Sequence, residues 1–181
     1  MVTDLPPNLP EPVICSIQAA QEYGLPAAVL LSVAQAENGQ VGLWVQNSNK
    51  SFDVGIMQFN TAYLASLKDY GITPEAVEVS GCYPFQLAAW RIANHLKNDN
   101  GDYWSKVANY HSKTPELNLK YRTRLLGFYK GWTEWLNNPS SPLPWRIKIE
   151  NSTSRKVVLK KESKTKTSIL SFEDYLHSKG Y

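Results

Sequence analysis

The sequence predicts a mainly all-α fold, a single helical domain followed by a basic C-terminal tail, on three observations. Apolar residues recur at three- and four-residue spacings through most of residues 13–136, and strict alternation is scarce there. The chain has 181 residues, of which 43% are hydrophobic, enough for one core of ordinary size. Residues that start and stop helices flank most of the periodic stretches.

A first helix is expected from Val13 to Tyr23, with Val13, Ile14, Ile17 and Ala20 on one face and Gly24 as its stop. Pro26 suits the first turn of a second helix reaching Glu37. That helix is apolar nearly all round through Ala27, Val29, Leu30, Val33 and Ala34, the pattern of a buried central element. Residues 38–56 hold Gly39, Gly42, the Asn47–Asn49 run and Gly55, and read as a long surface loop or at most a small hairpin. Helical periodicity returns at Thr61–Tyr70, closed by Gly71, and a short turn of helix can start at Pro74. The strongest amphipathic segment is Pro84–Lys97, with Phe85, Ala88, Ala89, Ile92 and Leu96 in one stripe. Asp102 opens a short helix ending near Tyr110, and Thr114, Pro115 and Glu116 start a long one reaching Trp135. Asn137–Pro144 contains three prolines and reads as a linker; Trp145–Ile149 and Val157–Leu159 can form at most a weak hairpin beyond it. The domain organisation expected is therefore an extended segment at 1–12, a helical domain at 13–136, and a linker and basic tail at 137–181.

Charge is unevenly distributed. Residues 1–136 carry 10 Lys and Arg against 12 Asp and Glu, a net −2, whereas residues 137–181 carry 9 against 4, a net +5. A tail rich in Ser, Thr and Lys is commonly a solvated and mobile segment, and its charge also suits a polyanion-binding arm. No nucleic-acid motif and no phosphate-cradling glycine loop accompanies it. The longest apolar run, Pro26–Leu31, falls far short of the roughly 20 residues that span a bilayer, so no membrane span is expected. Met1–Pro12 has acids and four prolines where a secretory signal would have Lys or Arg and then an apolar stretch. Either a signal was removed or none existed. Six Trp and ten Tyr supply flat amphipathic rings that serve a core and also stack on sugars.

Cys15 and Cys82 are the two cysteines, far apart and without a CxxC or a nearby Cys/His cluster, which argues against a zinc site or a thioredoxin-type pair. One disulfide or two buried thiols remain open on spacing alone. A bridge closing so long a loop would contribute roughly 4 kcal/mol and would imply an oxidising compartment. No metal or cofactor is expected.

Glu37, in Ala36-Glu37-Asn38-Gly39, ends the otherwise apolar second helix. The negative end of the helix dipole and an apolar surround both disfavour the ionised carboxylate, so its pKa is expected to be raised. An acid kept protonated near neutral pH is what cleavage of a glycosidic bond requires, because the leaving oxygen must receive a proton. Alone, the same Glu is also read as an exposed last-turn residue. Two further segments join it: Asp53-Val54-Gly55-Ile56-Met57-Gln58-Phe59-Asn60 and Asn109-Tyr110-His111-Ser112.

Taken in this order, the three segments resemble the lytic transglycosylases related to goose-type lysozyme, the SLT superfamily. There a Glu ending a buried helix is followed by a G-[LIP]-M-Q-[IF]-N-type segment and then by a Tyr-containing loop between helices. The matching positions are Glu37, Gly55–Asn60 and Tyr110; the resemblance covers about residues 13–130 and excludes the tail. Cys15, Cys82 and the Tyr110-His111-Ser112 run are similar to those of the small periplasmic enzymes that accompany conjugation, type IV pili and secretion systems. The resemblance implies a lysozyme-like helical fold, a Cys15–Cys82 disulfide and a periplasmic or cell-envelope location. It further implies action on peptidoglycan glycan strands and a conjugation or secretion machine as a partner; a monomer is expected, and the +5 charge of the tail with its Trp145, Phe172 and Tyr175 makes that tail the candidate for docking the machine.

Each position has a physical rationale beside the resemblance. Gly55 permits a close backbone approach, leaving room for a sugar, or is a plain turn glycine. Met57 and Gln58 offer a soft apolar face and an amide able to read an N-acetyl group, or else a packed core residue and a cap. Asn60 is a glycan contact or the cap of the next helix. Tyr110 can orient Glu37 or the sugar through its hydroxyl, and His111, where the larger enzymes commonly have Asn, is a glycan contact or a surface His. His95 and His177 are given no function. The reaction implied is cleavage of the β-1,4 bond between N-acetylmuramic acid and N-acetylglucosamine, with Glu37 as acid and then base and the muramoyl 6-hydroxyl closing to a 1,6-anhydro sugar. Asp53 keeps a rival in view as a second carboxylate for lysozyme-like hydrolysis, or as a loop-ordering residue. A non-catalytic glycan-binding adaptor is the third reading.

Overall fold

The computed structural model describes residues 5–147, 156–159 and 169–171. In chain order its elements are α1 (Glu11–Glu22), α2 (Ala27–Glu37), β1 (Leu43–Gln46), β2 (Phe52–Val54), β3 (Phe59–Asn60), α3 (Thr61–Ala65), a 3-10 turn (Lys68–Tyr70), α4 (Pro74–Glu78), α5 (Tyr83–Asn98), α6 (Tyr103–Ala108), α7 (Pro115–Asn137), β4 (Lys156–Leu159) and β5 (Ile169–Ser171). The protein is mainly helical but not purely α. The chain divides into two compact units, one formed by Met1–Glu37 with Gly81–Ile147 and the other by Asn38–Ser80 with Lys148–Tyr181.

The first unit is helical. α1 buries Val13, Cys15, Ile17 and Ala20, whereas Ile14, expected on the same face, is 37% exposed. α2 is buried nearly all round, from Ala28 through Ala34, and packs against α1 and α7. Its apolar pattern leaves no solvent face because two helices cover it. Ser32, the one hydroxyl in this run, is satisfied by the Ala28 carbonyl one turn back. α5 packs on α1, and the Cys15–Cys82 disulfide joins them across 67 residues. α6 begins at Asp102, whose Oδ1 accepts from the Trp104 and Ser105 amides at 3.1 Å each, so its orphan N–H groups are met by the expected cap. α7 contributes Tyr121, Leu125, Trp132 and Trp135 to the core. Trp132 Nε1 donates to Gln35 Oε1 on α2 at 2.8 Å. The Asn137–Pro144 segment, read from its prolines as a linker, is tied to this unit: Trp135 Nε1 donates to the Ser141 carbonyl at 3.1 Å and Gln35 Nε2 to the Pro144 carbonyl at 3.2 Å.

The second unit carries a sheet where the sequence suggests a loop or small hairpin. The strand order is β3-β2-β1-β4-β5, with β1 and β4 parallel and the other pairs antiparallel. The β1–β2 hairpin pairs Trp44 with Val54 and turns through Asn47–Lys50, where Lys50 takes φ 67° and donates its amide to the Asn47 carbonyl. Trp44 Nε1 donates to Glu78 Oε2 at 2.6 Å, and the Gly42 amide to the Glu78 carbonyl at 2.7 Å, so the end of α4 is pinned to the start of β1. From the tail, β4 lies beside β1 with Trp44 opposite Val157, which is fully buried. The Val157–Leu159 stretch therefore pairs with β1 and β5, not with residues near Trp145. Thr61–Tyr70 is not one helix: α3 ends at Ala65, and the 3-10 turn that follows is closed by Gly71 in the left-handed region. Among the described residues no helix is long and apolar enough to cross a membrane.

Candidate active site

Glu37, Tyr110 and His111 fall in the helical unit, and Asp53, Gly55, Met57, Gln58 and Asn60 in the sheet-bearing one. Glu37 is the last residue of α2, and Asn38 ends the helix by entering the left-handed region at φ 48°, which Asn tolerates better than most side chains. The Glu37 side chain is only 10% exposed. Its Oε1 accepts a 2.5 Å hydrogen bond from the hydroxyl of Tyr121, on α7. His111 stacks on the Tyr121 ring, with centroids 4.7 Å apart and planes 7° from parallel, and its Nδ1 lies 4.0 Å from the same Glu37 oxygen. Arg124 Cζ stands 5.2 Å from the Tyr121 ring centroid. Tyr110 is buried, with Arg91 Cζ 4.7 Å from its ring centroid.

Burial, the Glu37 charge and the bond to Glu37 all push the Tyr121 hydroxyl well above the usual phenol range. It therefore remains a donor at every physiological pH, and a donor to one carboxyl oxygen fixes the rotation of that group. The sequence reading missed Tyr121 because it lies on the buried stripe of α7 with Leu125 and reads as core. The available signal was that a buried Tyr needs a partner for its hydroxyl, and here that partner is an acid at a helix end.

In the sheet-bearing unit, Gly55 takes φ 71°, and a Cβ there would stand 2.2 Å from the Val77 carbonyl oxygen. The backbone at Gly55 is thus closely approached by the Val77 carbonyl. Gly39 is held the same way, since its Cβ would meet the Gly55 carbonyl at 2.2 Å. Gln58, at φ 48°, turns its amide back so that Nε2 donates to the Gly55 carbonyl at 2.8 Å. Met57 is completely buried and offers no surface to a sugar; its place is in packing beneath the turn. Asn60 caps α3 through Oδ1, which accepts from the Ala62 amide at 3.0 Å, while its Nδ2 donates to Asp53 Oδ1 and Ser51 Oγ at 2.9 Å each. Asp53 Oδ1 accepts also from Asn47 Nδ2 at 2.9 Å. The Asp53 carboxylate thereby ties the hairpin turn to β3, the loop-ordering alternative for this residue.

His95 lies in the helical unit, with Nδ1 2.7 Å from Asp99 Oδ2. Among the described residues no group of three His, Cys, Asp or Glu side chains gathers as a metal site would require.

No family model matches the chain. It is similar to protein IpgF of Shigella sonnei, 29% identical over 111 residues that make up 61% of this chain and 72% of IpgF, and to protein IpgF of Shigella flexneri to the same extent. It is similar also to invasion protein IagB of Salmonella typhimurium strain SL1344, 26% identical over 111 residues, 61% of this chain and 69% of that protein.

Proposed function

We propose that the protein is a peptidoglycan lytic transglycosylase of the goose-type-lysozyme-like superfamily, opening the bond between N-acetylmuramic acid and N-acetylglucosamine with formation of 1,6-anhydro-N-acetylmuramic acid. The observation that carries this reading is Glu37: a carboxyl group at the end of an apolar helix, nearly buried, with Oε1 engaged by the Tyr121 hydroxyl at 2.5 Å. With Oε1 accepting that bond, the transferable proton rides on Oε2. Glu37 gives this proton to the glycosidic oxygen as the bond breaks and the leaving sugar departs with its new hydroxyl. The resulting carboxylate, steadied by the same Tyr121 bond, then takes the proton of the muramoyl 6-hydroxyl as that oxygen closes onto C1, and the acid is restored. Water is not consumed. A hydroxyl already tethered beside C1 has a high effective molarity, so one carboxyl group suffices where hydrolytic glycosidases use two.

In this reading the half-exposed His111 faces the sugar or the acid and the buried Tyr110 the acid; Gly55, Gln58 and Asn60 are glycan contacts of the sheet-bearing unit by itself, with Met57 buried in their turn. The local opening of the wall for a conjugation or secretion machine in the periplasm belongs to the same proposal, and the likeness to a protein named for invasion, IagB, fits it. Digestion of purified peptidoglycan with analysis of products by mass spectrometry tests it. Anhydro-muropeptides from the wild type and none from Glu37→Gln are expected. Reducing muropeptides would instead point to hydrolysis with Asp53 as second carboxylate, and intact glycan to a binding adaptor.

A further inference from the structure

Two polar side chains of α5, Arg91 and His95, and its C-cap residue Asp99 follow one another at four-residue intervals, the spacing of neighbours on one helix face. None of them has a part in the chemistry above. Arg91 lies over the Tyr110 ring. The Asp99 carboxylate gathers three donors: His95 Nδ1 at 2.7 Å and Asn109 Nδ2 at 2.7 Å on Oδ2, and Lys113 Nζ at 2.8 Å on Oδ1. Asn109 and Lys113 bracket the Tyr110-His111-Ser112 run. From the other side Asn118, one turn ahead of Tyr121 on α7, donates through Nδ2 to Asn109 Oδ1 at 2.8 Å, to the Ser105 carbonyl at 2.9 Å and to the Ser112 carbonyl at 3.1 Å.

We propose that Asp99 is a positioning residue for the Glu37 chemistry: by clamping both ends of the 110–112 run it holds His111 flat on Tyr121, and with it the Tyr121 hydroxyl on Glu37. The inference deepens the glycan-cleavage reading and rests on it. A loop held at one point can still pivot, whereas two charge-assisted bonds to one carboxylate fix both its position and its orientation. His95 contributes from behind, since a neutral ring donating Nδ1–H to Asp99 leaves the aspartate to face Asn109 and Lys113. Its Nε2 is buried without a partner among the described residues, so the ring has one role available, toward Asp99. Displacements of about 1 Å in such a supporting contact can lower turnover by up to a hundredfold without touching the substrate.

The test uses the full chain and two readouts, the His111 ring-proton NMR shifts and the steady-state kinetics of muropeptide release. In the wild type the His111 protons are expected upfield, under the Tyr121 ring. In Asp99→Ala they move toward free-imidazole positions, and kcat falls roughly tenfold while KM changes by less than about twofold. Asp99→Asn keeps an oxygen for Asn109 and restores most of both. Asn109→Ala removes the same bond from the loop side and reproduces the effect if Asp99→Ala folds poorly. Persistence of the stacked His111 shifts in both alanine variants, or an unchanged kcat, overturns the proposal. A wild-type chain that releases no product overturns the glycan reading instead, and the His111 shifts then still decide whether Asp99 sets that ring.

Discussion

Tyr121 reaches Glu37 from a helix that starts far along the chain, and the bond between them is the shortest path from α7 to the proposed chemistry. Replacing Tyr121 with Phe removes one oxygen and keeps the ring on which His111 stacks. The expected result is a loss of about 0.5–1.5 kcal/mol in stability, the range for an ordinary hydrogen bond, measured by urea unfolding. In muropeptide assays kcat should fall by roughly ten- to a hundredfold with little change in KM; an unchanged kcat would remove Tyr121 from the mechanism. His95 offers a second test at this scale. Burial pulls its pKa below the ordinary 6.5, against the opposing bond to Asp99. The folded state thus binds fewer protons than the unfolded one, so His95 contributes stability that is complete above about pH 6.5 and is lost as pH falls below it. Unfolding free energies at pH 7.5 and 5.5 should differ more for the wild type than for His95→Gln. Asp99 runs in a lower window: the Lys113 ammonium bond and those from Asn109 and His95 hold it at about 2, so its contribution is present above pH 3.8 and fades toward pH 2. The place of Glu37 at the end of α2 was legible in the sequence, because an acid ending an apolar helix is locally anomalous. The Tyr121 bond was not, since its partner lies 84 residues away; nor was the Asp99 cluster, whose partners are nearer in the chain but are gathered only by the turns between α5, α6 and α7.

At the scale of elements, the turn from Gly55 to Gln58 depends on backbone conformations that side chains resist. Gly55→Ala adds a methyl group at φ 71° against the Val77 carbonyl, and a cost of about 1–3 kcal/mol or more is expected in urea unfolding. A variant of unchanged stability would show that the contact relaxes freely. The Cys15–Cys82 bridge joins α1 to the start of α5, and closing a loop of 67 residues should contribute roughly 4 kcal/mol, read as the fall in stability of Cys15→Ala/Cys82→Ala under oxidising conditions. Most of the helices were legible, because α2 and α5 carry long apolar stripes and Gly24, Pro115 and Asp102 mark ends. The strands were not. β1, β2 and β3 hold two to four residues each, too few for alternation to register against the Gly- and Asn-rich turns between them. The second half of Thr61–Tyr70 misled for a related reason, since a 3-10 turn mimics the end of an α-helix in its spacing.

For the whole molecule, the tail is the segment whose composition said least about its structure. Its +5 charge and its Ser, Thr and Lys suit a solvated arm, yet Val157 is buried and β4 runs beside β1. The alternation that would mark a strand spans only Lys156–Leu159, and pairing with a strand from the other end of the chain cannot be read locally. Removing residues 148–181 should therefore strip β1 of a neighbour and leave its edge open. Size-exclusion chromatography should show self-association of the shortened chain while the far-UV helical signal persists; a monomer as stable as the 181-residue chain would argue that β4 is dispensable. Because Trp44 is made long before Val157, the whole stretch between them must leave the ribosome before β1 acquires its second neighbour. Until then that hydrophobic ribbon stands unguarded, and a chaperone that shields nascent strands would find its target there.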